Sequence, residues 1–152
     1  MREKVFVDTS AWKALYDKDD PFHKLAKRAL AGLKRKGSFT FTSNYVVDET
    51  LTLLRIRVDH ASAVEFGEYV RASKVITTLP VDAGIDNEAW SIFKRYHDKT
   101  FSFTDCTSFV LMRKLSLDSA FTLDDHFRQF GLISVPKRDD IQSILRRKRF
   151  GR

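Results

Sequence analysis

Apolar and polar positions recur with two different periods along this chain, and the switches between them mark its elements. Residues 4–8 (KVFVD) form a short β-branched and aromatic run, followed by Thr9 and Ser10, hydroxyls suited to capping a helix over 11–17. Asp19, Asp20 and Pro21 open a second helix that closes on Lys34, Arg35, Lys36 and Gly37; acids at the start and cations at the end complement its dipole. Phe alternates with hydroxyl residues over 38–42 (SFTFT), as in a strand, and Ser43 and Asn44 cap a helix reaching to about residue 59. The pattern continues as a helix over 60–73, a strand over 74–79 stopped by Pro80, and helices over 82–98 and 104–116. Strands over 119–123 and 132–135 follow, the last ending at Pro136. Strands alternating with helices predict an α/β fold, a three-layer α/β/α sandwich around a mostly parallel sheet.

Composition narrows this further. With 152 residues, 43% of them hydrophobic and thirteen of them Phe, the chain can bury the core of one domain of ordinary size. The expected organisation is one domain over 1–136, then a basic tail or terminal helix over 137–152 that carries Arg146, Arg147, Lys148, Arg149 and Arg152. The balance of 27 basic against 20 acidic residues gives +7, which favours an anionic partner such as nucleic acid. A single cysteine, Cys106, excludes an internal disulfide and a thiolate-rich zinc site, as expected of a chain kept in reducing cytosol. No apolar run reaches the roughly 20 residues that span a bilayer. The first residues lead straight into a strand without a signal-like apolar region, so a cytoplasmic location is expected.

Four acids stand out against the apolar pattern: Asp8, Glu49, Asp105 and Asp124 each interrupt or end a hydrophobic stretch. Asp8 and Asp124 fall just past strands and Asp105 at a helix start, and in parallel sheets the carboxyl ends of the strands form the binding crevice. Glu49 has Val46, Leu53 and Ile56 as helical neighbours, which predicts a core-facing position. Asp48 shares its stripe with Asn44, Thr52, Arg55 and Asp59 and is expected in water. Asp105 heads a face with Ser108, Phe109 and Met112. Buried carboxylates without partners are costly, but a divalent cation among them cancels their repulsion. The structural alternatives are an N-cap for Asp8 or Asp105, an inward arginine paired with Glu49, and an ordinary turn at Asp124, with Asp125 its rival in the same loop.

Other polar candidates point elsewhere. The hydroxyls of Thr9, Ser10 and Thr104 could orient ligands but more often serve as helix caps. His23, His60, His97 and His126 lack the spacing of a helical metal site and read as surface or capping residues, His126 alone falling near the acids. Cys106 has no histidine placed to activate it and reads as packing. Trp12, Leu15 and Tyr16, and the pairs Phe39 with Phe41 and Phe101 with Phe103, fit core spacing better than base-stacking platforms.

The segments 5–10 (VFVDTS), 48–51 (DETL), 104–106 (TDC) and 122–127 (TLDDHF) resemble, in order and spacing, the successive acidic motifs of PIN-domain nucleases. The single-domain size is similar to that of the VapC-type toxins. The resemblance covers roughly residues 4 to 136. It implies an RNase-H-like α/β/α sandwich and Mg²⁺- or Mn²⁺-dependent cleavage of RNA phosphodiesters, with Asp8, Glu49, Asp105 and Asp124 as the catalytic and metal-binding acids. For the toxin branch it further implies a homodimer restrained by a cognate antitoxin protein. Two departures stand: Asp125-His126 differs from the usual filling of its loop, and the arginine-rich end exceeds a minimal domain. One ion or two, and whether Asp125 replaces or assists Asp124, are both compatible with the motifs. A receiver-type phosphoacceptor is disfavoured because an acidic pair after the first strand is missing. A catalytically silent RNA-binding PIN-like module is the main alternative, and its affinity would fall with salt while ignoring Mg²⁺.

Overall fold

Five parallel strands in the order β3-β2-β1-β4-β5, flanked by helices, carry the chain in the computed structural model, which describes residues 1–151. The elements are β1 (Lys4–Val7), α1 (Thr9–Tyr16), α2 (His23–Arg35), β2 (Phe39–Ser43), α3 (Asn44–Arg57), α4 (His60–Ala72) and β3 (Ile76–Leu79). They continue as α5 (Ala83–Arg95), α6 (Phe103–Lys114), β4 (Ser119–Phe121), α7 (His126–Gln129), β5 (Ser134–Val135) and α8 (Arg138–Phe150). The basic end is thus a helix; Arg152 lies outside the described residues. The short helix α7 carries no periodic signal and was not expected. The second helix starts at His23, two residues beyond Pro21, because Asp20 caps the Phe22 amide in a turn instead.

β1 sits in the middle of the sheet, and Val5, Phe6 and Val7 are buried on both faces, which is why its sequence is a continuous apolar run. β2 inverts the expected alternation. Phe39 stands 48% exposed under the Arg2 guanidinium, while Thr40 and Thr42 point inward. Both hydroxyls are satisfied there: Thr40 donates to the Val75 carbonyl and Thr42 to that of Val7, and Thr42 also accepts from the Trp12 indole. A buried Thr with its hydroxyl paired loses little of the apolar gain of its methyl group.

Helix packing builds two aromatic clusters. Trp12 of α1 packs on Phe66 and Tyr69 of α4, with ring centroids 5.2 and 6.3 Å away. On α6, Phe109 meets Phe101, Phe127 and Phe130, stacking on the last at 4.3 Å. The core stripe of α3 runs through Val46, Thr50 and Leu54, not through Leu53 and Ile56; Ile56 is 71% exposed. Thr50 fits this stripe because its hydroxyl donates to the Val46 carbonyl 2.7 Å away. The strand order reverses between β1 and β4, and the loops leaving these neighbours open the crevice at which α/β sheets bind ligands.

Candidate active site

Asp8 follows the last residue of β1 and stands at the N-cap position of α1, yet its side chain makes no capping bond. Its amide donates to the Phe121 carbonyl of β4, which pins the residue to the floor of the crevice. The side chain is buried. Oδ2 accepts from the Ser10 and Thr122 hydroxyls, each 3.0 Å away, whereas Oδ1 is buried without a hydrogen-bond partner among the described residues. Burial, then the charges of Asp124 and Asp105, push the Asp8 carboxyl up from 3.8 to about 8; the Thr122 hydroxyl and the nearby Thr9 amide oppose this. At neutral pH such a group holds a proton unless a cation replaces it.

Asp105 arrives from the other side, at the third position of α6. Ser102 Oγ accepts from the Asp105 amide at 2.9 Å, and Asp105 Oδ2 accepts from the Ser102 amide at 3.0 Å. This reciprocal capping box fixes the start of the helix and aims the carboxylate inward. Burial raises its pKa, and Asp124 adds to the rise, while the Ser102 amide and His126 lower it. His126 Nδ1 lies 2.8 Å from the same Oδ2, and its Nε2 lies 3.2 Å from Thr100 Oγ1.

Asp124 and Asp125 divide the work of their loop. Asp124 Oδ1 accepts from the His126 amide at 3.0 Å and lies 3.8 Å from His126 Nδ1, and Asp124 is the neighbour that raises both buried carboxyls. Asp125 turns away to Arg128 at 2.9 Å and Arg138 at 3.6 Å, tying the loop to α8. Asp8, Asp105 and Asp124 therefore lie near enough at the β1/β4 crevice for their charges to interact. Glu49 does not join them through any contact: it lies half-buried on the margin of α3, beside Val46, without a hydrogen bond or ion pair among the described residues. The residue beyond it, Thr50, takes the core position. Asp48 is exposed, as its polar stripe predicts.

A hard divalent cation suits this donor set. All candidate ligands are oxygens, one of them is buried and unpaired, and burial, with the charges of Asp124 and Asp105 added, favours the protonated form of Asp8 when no cation is present. No three His, Cys, Asp or Glu side chains among the described residues close on a single point, so the set is open.

Sequence reasoning passed over three of these contacts. By spacing His126 reads as a surface or capping residue near the acids, because its partner Asp105 is 21 residues away, beyond any helical spacing. Ser10 and Thr122 hold Asp8, whereas Thr9, its equal as a capping candidate, leaves its Oγ1 buried and unpaired. The motif TLDDHF contained both Thr122 and His126, but only a parallel β1/β4 pair sets them against Asp8 and Asp105. Cys106 is buried and its thiol is pushed up to about 11 by burial and by Asp105, which removes it as a nucleophile.

Comparison with known proteins identifies the family and the fold. The model of the PIN domain family matches residues 5–132. The 23S rRNA-specific endonuclease VapC20 of Mycobacterium tuberculosis is 38% identical over 131 residues, covering 86% of this chain and 97% of that protein. A VapC ribonuclease of Archaeoglobus fulgidus is 30% identical over 152 residues, 95% of this chain and 96% of its own. The crystal structure of M. tuberculosis VapC20, described as a sarcin-ricin loop cleaving toxin, superposes with a TM-score of 0.79 at 37% identity over 85% of this chain and 96% of that one. FitAcB from Neisseria gonorrhoeae, at 17% identity and a TM-score of 0.62, shares the fold.

Proposed function

This chain belongs to the PIN domain family, and from that premise we propose that it is a divalent-metal-dependent endoribonuclease, the toxin of a prokaryotic toxin-antitoxin pair. One observation carries the reading: a buried carboxylate, Asp8, presents an unpaired oxygen toward a crevice shared with Asp105 and Asp124. A bound Mg²⁺ or Mn²⁺ polarises a phosphodiester and lowers the pKa of an attacking water. Asp8 Oδ1 is the oxygen we assign to direct coordination, because Ser10 and Thr122 already occupy Oδ2. Asp105 and Asp124 would help to hold the ion, and Glu49, on the margin of α3, is the fourth acid we assign to it. His126 keeps Asp105 turned into the crevice and is a positioning residue.

The names of the relatives suggest the first substrate to try, a ribosomal RNA stem-loop. Wild-type protein should cut it with Mg²⁺ and not with chelator. Asp8→Asn and Asp105→Asn should fold and fail to cut. Wild-type turnover by either variant removes the mechanism, and binding without cleavage at any Mg²⁺ concentration favours the silent RNA-binding alternative.

The toxin reading also calls for partners. A cleft of about 600 Å³ between α1, α2 and α4, lined by Trp12, Tyr16 and Tyr69 together with charged side chains such as Asp17, Lys27 and Glu65, has room for a segment of a cognate antitoxin. On α5, Trp90 and Phe93 are exposed and stacked 5.8 Å apart, with Phe103 edge-on to both, an apolar face suited to a second copy in a homodimer. Light scattering of wild type against Trp90→Glu tests the dimer. No helix among the described residues is long and apolar enough to cross a membrane.

A further inference from the structure

The positive charge of this protein is not spread over its surface. α2 carries Lys24, Lys27, Arg28, Lys34 and Arg35 and no Asp or Glu; α8 carries five Lys or Arg and two Asp. These two helices therefore hold a net +8 against +7 for the whole chain, leaving the remainder slightly negative. They lie side by side: Lys24 and Arg28 of α2 and Asp140, Ser143, Ile144 and Arg147 of α8 line one cleft of about 250 Å³. All five α2 cations and Arg146, Arg147, Lys148 and Arg149 are exposed, and none forms an ion pair among the described residues.

Helix chemistry accounts for only part of this. Lys34 and Arg35, and the last turn of α8, answer the negative helix C-terminus. Lys24, Lys27 and Arg28 do not. They crowd the N-terminal half of α2, where the dipole is positive and the first turn has no acid to offset them. Solubility needs net charge but not segregation, and this placement opposes the local preference, which marks positions under functional constraint. The array on α2 extends about 17 Å from Lys24 to Arg35 at 1.5 Å per residue, long enough to follow more than one phosphate.

We propose that the α2/α8 flank is a phosphate-backbone site for structured RNA, distinct from the carboxylate crevice and acting without metal. The inference rests on the reading of this chain as an RNA-cleaving enzyme and adds a second contact that supplies affinity where the acidic crevice repels the polyanion. α2 lies within the segment matched by the family and α8 beyond it, so the flank joins the core domain to its C-terminal helix.

The test uses the full chain in two assays. Binding of an RNA stem-loop and of a short single-stranded oligonucleotide is measured in chelator across a salt series, and cleavage of both is measured with Mg²⁺. The variants are Arg146→Gln/Arg147→Gln/Lys148→Gln/Arg149→Gln and, separately, Lys24→Gln/Arg28→Gln; melting temperatures report folding. Each lost phosphate contact flattens the slope of log affinity against log salt by about 0.7–0.9, so the fourfold variant should lose about 3 in slope and at least tenfold in stem-loop affinity near 0.1 M salt. Its turnover of the short oligonucleotide and its melting temperature should match wild type.

An unchanged slope overturns the proposal, as does equal loss on both RNAs. Tighter salt-sensitive retention of the protein by anionic vesicles or an acidic peptide than by the stem-loop does so too. Because binding is read in chelator, the two readings fail separately. A protein that binds steeply but never cuts sinks the nuclease, and one that cuts with an unchanged slope sinks the flank.

Discussion

The crevice between β1 and β4 and the flank of α2 and α8 both gather like charges, but by opposite means. In the crevice, two buried carboxylates stand near the partly exposed Asp124, and burial, reinforced by the charges of Asp124 and Asp105, shifts Asp8 to about 8. On the flank, Lys24 and Arg28 of α2 and Arg146, Arg147, Lys148 and Arg149 of α8 stand in solvent without ion pairs among the described residues, each screened within about 8 Å at physiological ionic strength. A small, highly charged ion bound in the crevice would relieve that stress all at once. The flank instead offers many weak contacts whose sum depends continuously on salt. The first arrangement suits chemistry at one phosphate, the second the holding of an extended chain of them.

The sharpest break in this comparison is removal of a crevice carboxylate. Asp8→Asn or Asp105→Asn should reduce Mg²⁺-dependent cleavage by more than the roughly 10–100-fold typical of losing a group that merely orients a ligand. The neighbours Asp124 and Asp125 then make a finer cut. Asp124→Asn should impair cleavage by at least about tenfold. Asp125→Asn should leave cleavage near wild type and cost no more than about 1 kcal/mol of stability, since its pairs with Arg128 and Arg138 are partly exposed. Gel assays with one substrate compare all four variants.

Stability against pH probes the same stress without activity. Asp8 binds its proton more tightly in the fold than in the unfolded chain, so its contribution is full below about pH 4 and is lost as pH rises through about 8. In chelator the melting temperature should therefore fall across this window. Asp8→Asn should flatten the fall and melt higher than wild type near pH 8, and Mg²⁺ should raise the wild type toward it by mass action. A wild-type profile that is flat in chelator breaks the contrast with the flank.

Smaller effects follow. His126→Gln should lower cleavage about tenfold with little change in melting, because the ring orients the Asp105 carboxylate through one hydrogen bond. Neutralising flank cations should leave stability within about 0.5 kcal/mol, as for other exposed substitutions. Thermal melts and single-turnover cleavage read both.

How much of this was legible in the chain depended on which force placed each residue. β1 and Asp8 were plain, because a doubly buried strand ending in an acid is a one-dimensional signal. The parallel sheet followed from strands alternating with helices. The face of α3 was misread by one step: hydrophobicity picked Leu53 and Ile56, whereas the buried position belongs to Thr50, made compatible by a bond to the Val46 carbonyl that periodicity cannot see. Glu49 moved to the margin with that correction. β2 was inverted for the same reason, its threonines satisfied inside and Phe39 left in the open. His126, Ser10 and Thr122 act across long sequence separations, and no local pattern encodes a contact of that kind.

Asp105 caps its own helix with the carboxylate that faces the crevice, and this double duty alters what its presence signifies in other chains. A descendant that had abandoned catalysis would still benefit from the acid, because the start of α6 depends on it. Asp8, which caps nothing and only destabilises the empty fold, would drift first. In judging whether a divergent homologue is still an enzyme, the aspartate after the first strand is therefore the more informative letter.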